Sequence, residues 1–187
     1  MATPHGITLV EILIALIISA LLAGMALPSM SAFVQQHRAA AAINQMIGAV
    51  KFTRNAAVTH RTTATLCPGA NGQCGARNSW HQGAMTFADR NNNGRREPEE
   101  TVLRAYSALP EGARIYWRSF RNRGYLQINS RGLTNWQNGH LLYCALDGDP
   151  RFARSVIINA QARARRARDI DGDGIVEDAR GRDLVCP

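Results

Sequence analysis

The N-terminal part of the chain is a long apolar run. Residues 7–26 read ITLVEILIALIISALLAGMA and carry one charged side chain, that of Glu11. A helix of this length rises about 30 Å, which matches the thickness of the hydrocarbon core of a bilayer. Residues 1–6 contain no lysine or arginine, which disfavours a removable secretory signal. We therefore predict a retained membrane-spanning helix over residues 7–26.

The pattern becomes one-sided after Pro28. Apolar positions recur at spacings near three and four, which predicts an amphipathic helix over residues 27–60 that packs on another part of the protein. Pro28 has no amide hydrogen, so we expect it to kink the helix or to break it locally. The apolar positions are Phe33, Ile43, Met46, Ile47, Val50 and Ala57.

The helical period disappears in residues 61–187. Short β-type runs alternate there with turn residues, which is the pattern of an antiparallel sheet. A long N-terminal helix followed by such a sheet predicts an α+β fold with one β-rich globular domain. The predicted strands are 63–66, 84–88, 101–106, 114–120, 124–128, 141–145, 155–159 and 183–186.

Four cysteines follow the apolar run. Their even number favours two disulfides in an oxidising compartment, and four cysteines permit three pairings. Closeness along the chain favours Cys67 with Cys74. That choice leaves Cys144 to pair with Cys186. A zinc site is the alternative, although no pair has CxxC spacing.

The chain is strongly basic. Its formal net charge is +8, and Lys51 is the only lysine among 22 basic residues. A codon bias toward arginine explains such an imbalance without any function. An arginine-rich surface also attracts polyanions, because the guanidinium fork matches phosphate. Both interpretations stay open at this point.

The sequence HGITLVE around Gly6 resembles the cleavage site of type IV prepilins. The resemblance implies that a prepilin peptidase cuts after Gly6 and removes residues 1–6 as a leader. Ile7 is then the mature N-terminus and is N-methylated, although the family usually has phenylalanine or methionine there. Glu11 is the fifth mature residue, and Pro28 lies where such helices commonly carry a proline.

The carboxylate of Glu11 has a physical role in this interpretation. An ionised carboxylate is costly in hydrocarbon and usually has a partner. Pairing with the cationic N-terminus of Ile7 in a neighbouring subunit neutralises both groups and sets the axial register of a filament. Residues 7–26 then form the filament core. The alternative is a tolerated charge that snorkels to the membrane surface.

The rest of the chain resembles the minor pilins and pseudopilins of the FimT/GspH family. Members prime pilus assembly, lie near the pilus tip or form the tip of the type II secretion pseudopilus, and some bind DNA during natural transformation. The resemblance implies the pilin fold, in which a long kinked N-terminal helix packs on an antiparallel β-sheet domain. The segments that carry it are 66–68, 80–89, 89–100, 128–132 and 142–144.

The resemblance also implies partners and a location. The partners are other minor and major pilins or pseudopilins, the prepilin peptidase, the inner membrane and, for DNA-binding members, double-stranded DNA. We expect a single-pass inner-membrane protein with residues 61–187 in the periplasm, assembled later into a pilus or pseudopilus. The alternatives are a core pseudopilin of type II secretion without DNA binding and a simple membrane-anchored domain.

DNA binding in the family is associated with a C-terminal GRxR-like element. The aligned residues begin at Ala162, which replaces the glycine, and contain more arginines than the element requires. Such a group favours non-specific, salt-sensitive contacts with phosphates. The alternative is a solvated basic loop balanced by the acidic run 169–178. The candidate residues are Arg163, Arg165, Arg166 and Arg168.

Two aspartate-rich loops partly match calcium-binding loops. The first, 89–100, has oxygen-bearing side chains at the first, third, fifth and twelfth positions and glycine at the sixth, but Arg95 and Arg96 would repel a cation. The second, 169–178, is more acidic but has Arg180 at the twelfth position. Ordinary Asx turns explain both loops without a metal. The candidate positions are Asp89, Asn91, Asn93, Arg95 and Glu100.

The sequence offers no support for catalysis. Its five histidines are scattered without ligand spacing, and it contains no nucleophile elbow, phosphate loop or convincing carboxylate pair. We therefore expect no enzymatic activity, and no cofactor unless one of the acidic loops binds calcium. The predicted function is that of a minor pilin or pseudopilin that primes or caps a filament.

Overall fold

The computed structural model describes residue 6 and residues 8–70 and 72–187, with the side chains of residues 25–29 excepted. The chain forms two compact units, Met1–His37 and Arg38–Pro187. The first unit contains the N-terminal part of a single long helix. The second contains the rest of that helix and all the strands.

Helix α1 spans Leu9–Thr59. Thr8 lies just before it, and its Oγ1 accepts a hydrogen bond from the backbone N–H of Glu11 at 3.3 Å, which satisfies an otherwise unpaired amide of the first turn. After the last turn, Arg61 adopts a φ of 52°, the left-handed conformation that commonly ends a helix. The helix continues through Pro28 without a break, and the kink there stays a prediction.

In the first unit, α1 exposes apolar side chains. Leu9, Leu22 and Phe33 are all more than half exposed. Taken over the described residues alone, no helix has an apolar stretch long enough to cross a bilayer. The predicted span 7–26 includes Ile7 and two side chains that lie outside the described set, and it stays a prediction.

In the second unit, α1 buries one face. The buried positions recur every three or four residues, as the amphipathic pattern predicts. More than half of them are alanine, so this face of the helix consists mainly of small side chains. The buried positions are Ala39, Ala42, Ile43, Met46, Ala49, Val50, Thr53, Ala56 and Ala57.

In the part of the chain that the structure describes, eight strands form two antiparallel sheets. The first sheet has the order β3-β2-β1-β5, and the second has the order β4-β6-β7-β8. Thr53 of α1 joins the helix to the first sheet, because its Oγ1 lies 2.7 Å from the Oγ1 of Thr86. The strands are β1 (Ala64–Pro68), β2 (Ala84–Ala88), β3 (Val102–Tyr106), β4 (Arg114–Ser119), β5 (Leu126–Ile128), β6 (Gly139–Cys144), β7 (Arg154–Ile158) and β8 (Ala164–Arg166).

The structure corrects the strand prediction at the C-terminus. No strand forms at 183–186 within the described chain, where Asp183 makes only an isolated bridge with Glu177. The eighth strand is β8, which the sequence pattern missed because it contains no β-branched or aromatic residue. An edge strand needs only one partner, and β8 obtains its backbone hydrogen bonds from β7.

Buried side chains and a disulfide hold the C-terminal tail on the second sheet. Leu184 packs in a cluster with Leu142 of β6 and Val176 of the preceding loop. Cys186 is bonded to Cys144, the last residue of β6. The other disulfide joins the neighbouring Cys67 and Cys74, so both bridges follow the pairing that closeness along the chain favours.

The two disulfides differ in the length of chain that they close. Their sequence separations are 42 residues for Cys144 and Cys186 and 7 residues for Cys67 and Cys74. We expect the double change Cys144→Ala with Cys186→Ala to lower the free energy of unfolding by about 4 kcal/mol, because the longer loop restricts the unfolded chain more. Urea unfolding of the full chain in a non-ionic detergent measures this loss.

The other bridge is the matched control. Changing Cys67 and Cys74 to alanine should cost about 2 kcal/mol, because the loop is short. If the free energy of unfolding fell more for this pair than for Cys144 and Cys186, the Cys144–Cys186 disulfide would not be the more stabilising of the two.

Candidate nucleic-acid interface

The predicted DNA-binding arginines lie on and beside edge strand β8. Arg165 and Arg166 belong to the strand, Arg163 precedes it and Arg168 follows it. All four side chains are exposed. The segment is extended where it forms β8.

A tight turn delivers the chain from β7 into β8. The Oδ1 of Asn159 accepts a hydrogen bond from the backbone N–H of Arg163 at 2.9 Å, and the N–H of Ala162 donates to the carbonyl of Asn159 at 3.0 Å. Ala162 has a φ of 53°, in the left-handed region that favours glycine. This geometry explains why a glycine suits the corresponding position of the GRxR-like element.

Pairing with β7 distributes the arginines over both faces of the sheet edge. Arg166 lies opposite Val156, and Arg165 lies opposite Ile157. Paired residues share a face and successive residues alternate, so the two guanidinium groups project to opposite faces. The edge therefore presents positive charge in both directions.

On the helix side of the edge, the arginines border a cleft of about 350 Å³ between α1 and β8. Arg166 donates a hydrogen bond to the Oδ1 of Asn44 on α1. Arg154, at the start of β7, donates to the carbonyls of Arg151 and Ala153 at 2.8 and 2.7 Å. The cleft is lined by Ala40, Ile43, Arg154, Ser155, Arg166, Ala167, Arg168, Asp169 and Val176.

Arg154 and Asn44 are members of this basic region that the sequence did not indicate. Burial lowers the pKa of Arg154, and the nearby Asp169 carboxylate opposes that change. Asn44 lies on the exposed side of α1 and carries no motif. Only the folded chain brings these two residues beside Arg166 and Arg168.

The second acidic loop lies directly after the arginines. One ligand oxygen from each of Asp169, Asp171 and Glu177 lies within 4.8 Å of the others. The buried Glu177 accepts hydrogen bonds from the backbone N–H of Ile170 at 2.9 Å to both of its oxygens. Calcium binding here stays a prediction, because these bonds also explain the loop without a metal.

The first acidic loop is a buried hydrogen-bond network centred on Asp89. Its Oδ2 accepts from the Oγ1 of Thr65 at 2.6 Å, from the Nε2 of Gln127 at 2.7 Å and from the backbone N–H of Gly94 at 2.9 Å. Its Oδ1 accepts from the backbone N–H of Asn93 at 3.1 Å. Protein donors thus occupy both oxygens, which gives Asp89 a structural role whether or not calcium binds.

The other predicted ligands of that loop also have partners within the protein. Asn91 and Asn93 donate through Nδ2 to the two oxygens of Glu97, at 2.8 and 2.9 Å. Glu100 is buried and accepts from the backbone N–H of Arg90 at 2.9 Å. Arg95 is exposed, and its N–H donates to the Oδ1 of Asn93 at 2.7 Å.

The predicted processing and assembly residues belong to the first unit. Gly6 is exposed, and Glu11 is exposed in the first turn of α1. Ile7 and the side chain of Pro28 lie outside the described residues. Cleavage after Gly6, methylation of Ile7 and the assembly role of Glu11 therefore stay predictions.

Comparison with known proteins identifies the family. The model of the family described as Type II transport protein GspH matches residues 42–162, which is more than half of the chain. The chain belongs to the GspH family. The model of the prokaryotic N-terminal methylation motif matches residues 1–27. Proteins with this motif are membrane-anchored pilins that assemble into filaments with other pilins or pseudopilins. The members of the family are structural pilins. They include the FimT/GspH-like minor pilins, the group that the sequence analysis predicts for this chain.

Two crystal forms of the type IV minor pilin FimU from Pseudomonas aeruginosa strain PAO1 share the fold. One has a TM-score of 0.55 and 13% identity, with 72% of this chain and 91% of the FimU chain covered. The other has a TM-score of 0.51 and 13% identity, with 67% and 90% covered. No curated protein matches the sequence. The likeness to FimU confirms the predicted α+β pilin fold of this GspH family member.

The Asp89 network generates a prediction about stability. We expect Asp89→Ala to lower the free energy of unfolding by about 3 kcal/mol or more, because the change strands buried donors on Thr65 and Gln127. The loss should persist in the presence of a calcium chelator. Urea unfolding of the full chain with and without chelator measures it, and Asn91→Ala, an exposed position in the same loop, is the control. A loss that disappears in chelator would assign Asp89 to calcium instead.

Proposed function

We propose that this GspH family member is a minor pilin that primes or caps a type IV pilus or a type II secretion pseudopilus, and that its β8 edge binds double-stranded DNA. The observation that carries the DNA part is the exposure of Arg163, Arg165, Arg166 and Arg168 along one sheet edge. Membership of a pilin family supports the filament part.

The β8 edge suits a phosphate backbone for two physical reasons. Guanidinium groups bond phosphate oxygens through two N–H donors at once, so they bind phosphate with defined geometry. The opposite projection of Arg165 and Arg166 spreads the positive charge over both faces of the edge. Such contacts read no bases, so the expected binding is independent of sequence.

The alternative is a core pseudopilin without DNA binding, in which the acidic loop balances the arginines. Asp169 follows Arg168 directly and lines the same cleft. The side chains of Arg163 and Arg165 are not among those that line this cleft. We therefore favour the interpretation in which the β8 edge keeps a net positive charge.

The N-terminal part of the proposal follows from the methylation motif. We propose insertion of the apolar segment in the inner membrane with the second unit in the periplasm, cleavage after Gly6 by a prepilin peptidase and methylation of Ile7. Glu11 then pairs with the N-terminus of a neighbouring subunit in the filament. A simple membrane-anchored domain would require no processing, so mass spectrometry of the mature N-terminus separates the two cases.

The DNA proposal predicts a steep dependence on salt. If the four arginines contact four phosphates, log K should fall by about 3.6 for each tenfold rise in salt concentration. Changing all four to glutamine should abolish most of that slope and weaken binding by at least about tenfold at 0.1 M salt. Gel-shift titration of the full chain in a non-ionic detergent with a short duplex measures both quantities.

A matched variant distinguishes the effect of the β8 arginines on DNA binding from the effect of the protein's overall positive charge. Arg61, Arg90, Arg95 and Arg131 are exposed elsewhere in the second unit, and changing them to glutamine removes the same charge. We expect that variant to keep most of the affinity. Equal losses in the two variants, or no binding by the unchanged chain at low salt, would refute a specific role for β8.

The assembly proposal predicts that Glu11→Ala lowers incorporation into filaments. Removing one partner of a desolvated ion pair costs at least about 2 kcal/mol, so incorporation should fall by about thirtyfold or more. Quantitative immunoblotting of sheared filaments measures it, with the membrane-bound amount as reference. Ser19→Ala, a neutral change on the same exposed helix, should assemble normally, and normal assembly of Glu11→Ala would count against the ion pair.

A further inference from the structure

Two large aromatic side chains are exposed at one end of the second sheet. Phe120 directly follows β4 and is 73% exposed, and Trp136 is 63% exposed. They lie near each other, because the backbone N–H of Phe120 donates to the carbonyl of Asn138 at 3.0 Å. We refer to Phe120, Arg121 and Trp136 as the aromatic end.

The backbone on both sides of Trp136 is anchored in the protein interior. The N–H of Asn135 donates to the carbonyl of the buried Gln127 at 3.1 Å, and the Oε1 of the buried Gln137 accepts from the N–H of Gln127 at 2.5 Å. Trp136 itself has a φ of 59°, which is rare for a bulky residue. Its neighbours are thus held inward while its ring is directed outward, so a partner would meet an ordered ring.

Arg121 completes the aromatic end with a positive charge. Its guanidinium carbon lies 5.8 Å from the centroid of the Trp136 ring. A stacked guanidinium keeps its N–H edges available for a carboxylate. The surrounding segment 113–146 contains five arginines and no aspartate or glutamate. The aromatic end is therefore complementary to an apolar side chain flanked by carboxylates.

This arrangement favours a protein partner over a nucleic acid. A base would stack on the face of Trp136, and Arg121 already covers one of its two faces. Tryptophan and arginine are also the residues that most often dominate the binding energy of protein interfaces.

The chain carries a surface of the required chemistry in its own acidic loop. Ile170 is 76% exposed between Asp169 and Asp171, with Asp173 two residues further on. Its backbone is held by the bonds to the buried Glu177. Desolvation raises the pKa of Asp183 beside the loop, and the carboxylates of Asp173, Asp171, Glu177 and Asp169 raise it further.

The two surfaces lie at opposite ends of the second sheet. At the aromatic end, Ser119 of β4 pairs with Gly139, and Gly139 pairs with Ile158 at the end of β7. The acidic loop leaves from the other end, because the N–H of Ala167 donates to the carbonyl of Ser155 near the start of β7. The length of β7 separates the two ends by about 17 Å.

We propose that two copies of this chain bind head to tail, with Ile170 of one copy against Phe120 and Trp136 of the next, and Arg121 paired with Asp171. A contact between different surfaces leaves one of each free, so it adds further copies in a line or helix. The proposal rests on the proposed filament function, for which it names a contact between copies, and it uses none of the four β8 arginines.

Cross-linking of the full chain in its membrane tests the contact. All four native cysteines are paired in disulfides, so Trp136→Cys and Ile170→Cys introduce the only free thiols. With two differently tagged chains and a short bismaleimide, we expect linkage between Trp136→Cys and Ile170→Cys at least about tenfold above either variant alone. No linkage, or equal linkage of Trp136→Cys with itself, would overturn the head-to-tail arrangement.

Charge reversal adds a test that does not depend on the introduced thiols alone. In the cross-linking pair, Arg121→Glu and Asp171→Arg should each reduce linkage about tenfold, and the two together should restore it. Arg95→Glu, an exposed arginine in another loop, is the matched control and should leave linkage unchanged. Circular dichroism confirms that each variant is folded.

Each of three results would overturn the proposal, and the last two would also assign the aromatic end to another partner. Failure of the paired reversal to restore linkage would remove the Arg121 and Asp171 contact. Loss of linkage after nuclease treatment, with competition by a single-stranded oligonucleotide, would assign the surface to nucleic acid. Linkage of Trp136→Cys to a different pilin, in place of the second copy, would assign it to that subunit.

Discussion

Burial of the alanine-rich face of α1 is the packing on which both sheets depend. Between Ala39 and Ala57, the helix buries mainly small side chains in the β domain. Thr53 on that face forms a hydrogen bond with Thr86 in the first sheet. Asn44, on the exposed side of the same helix, accepts a hydrogen bond from Arg166 in the second sheet. This part of α1 is therefore linked to both sheets, the second of which carries the arginine edge.

The elements that follow an apolar period could be predicted from the sequence, and the charged or irregular ones could not. The buried face of α1 repeats every three or four residues, and the other seven strands lie in short β-type runs separated by turn residues. Strand β8 has no such pattern, because an edge strand of arginines obtains its structure from β7 alone. The opposite error occurred at residues 183–186, where Leu184 is buried without strand pairing.

The candidate sites show the same division. The family resemblance indicates the β8 arginines, but their orientation depends on register with Val156 and Ile157. Asp89 looks like a calcium ligand in sequence because its partners Thr65 and Gln127 are 24 and 38 residues away. The aromatic end was missed for a related reason: Gln127 and Gln137 form the anchors, and glutamine in a turn-rich segment carries no local signal.

The position of the arginines at a sheet edge has a consequence for solubility. An open strand offers unpaired backbone groups to any other strand, and charged side chains are a common defence against such pairing. Arg165 and Arg166 therefore protect β8 from growing into a cross-molecular sheet. A related protein without these arginines would expose an uncharged strand edge and would aggregate more readily. A basic edge of this kind is therefore useful even in a filament protein that does not bind DNA.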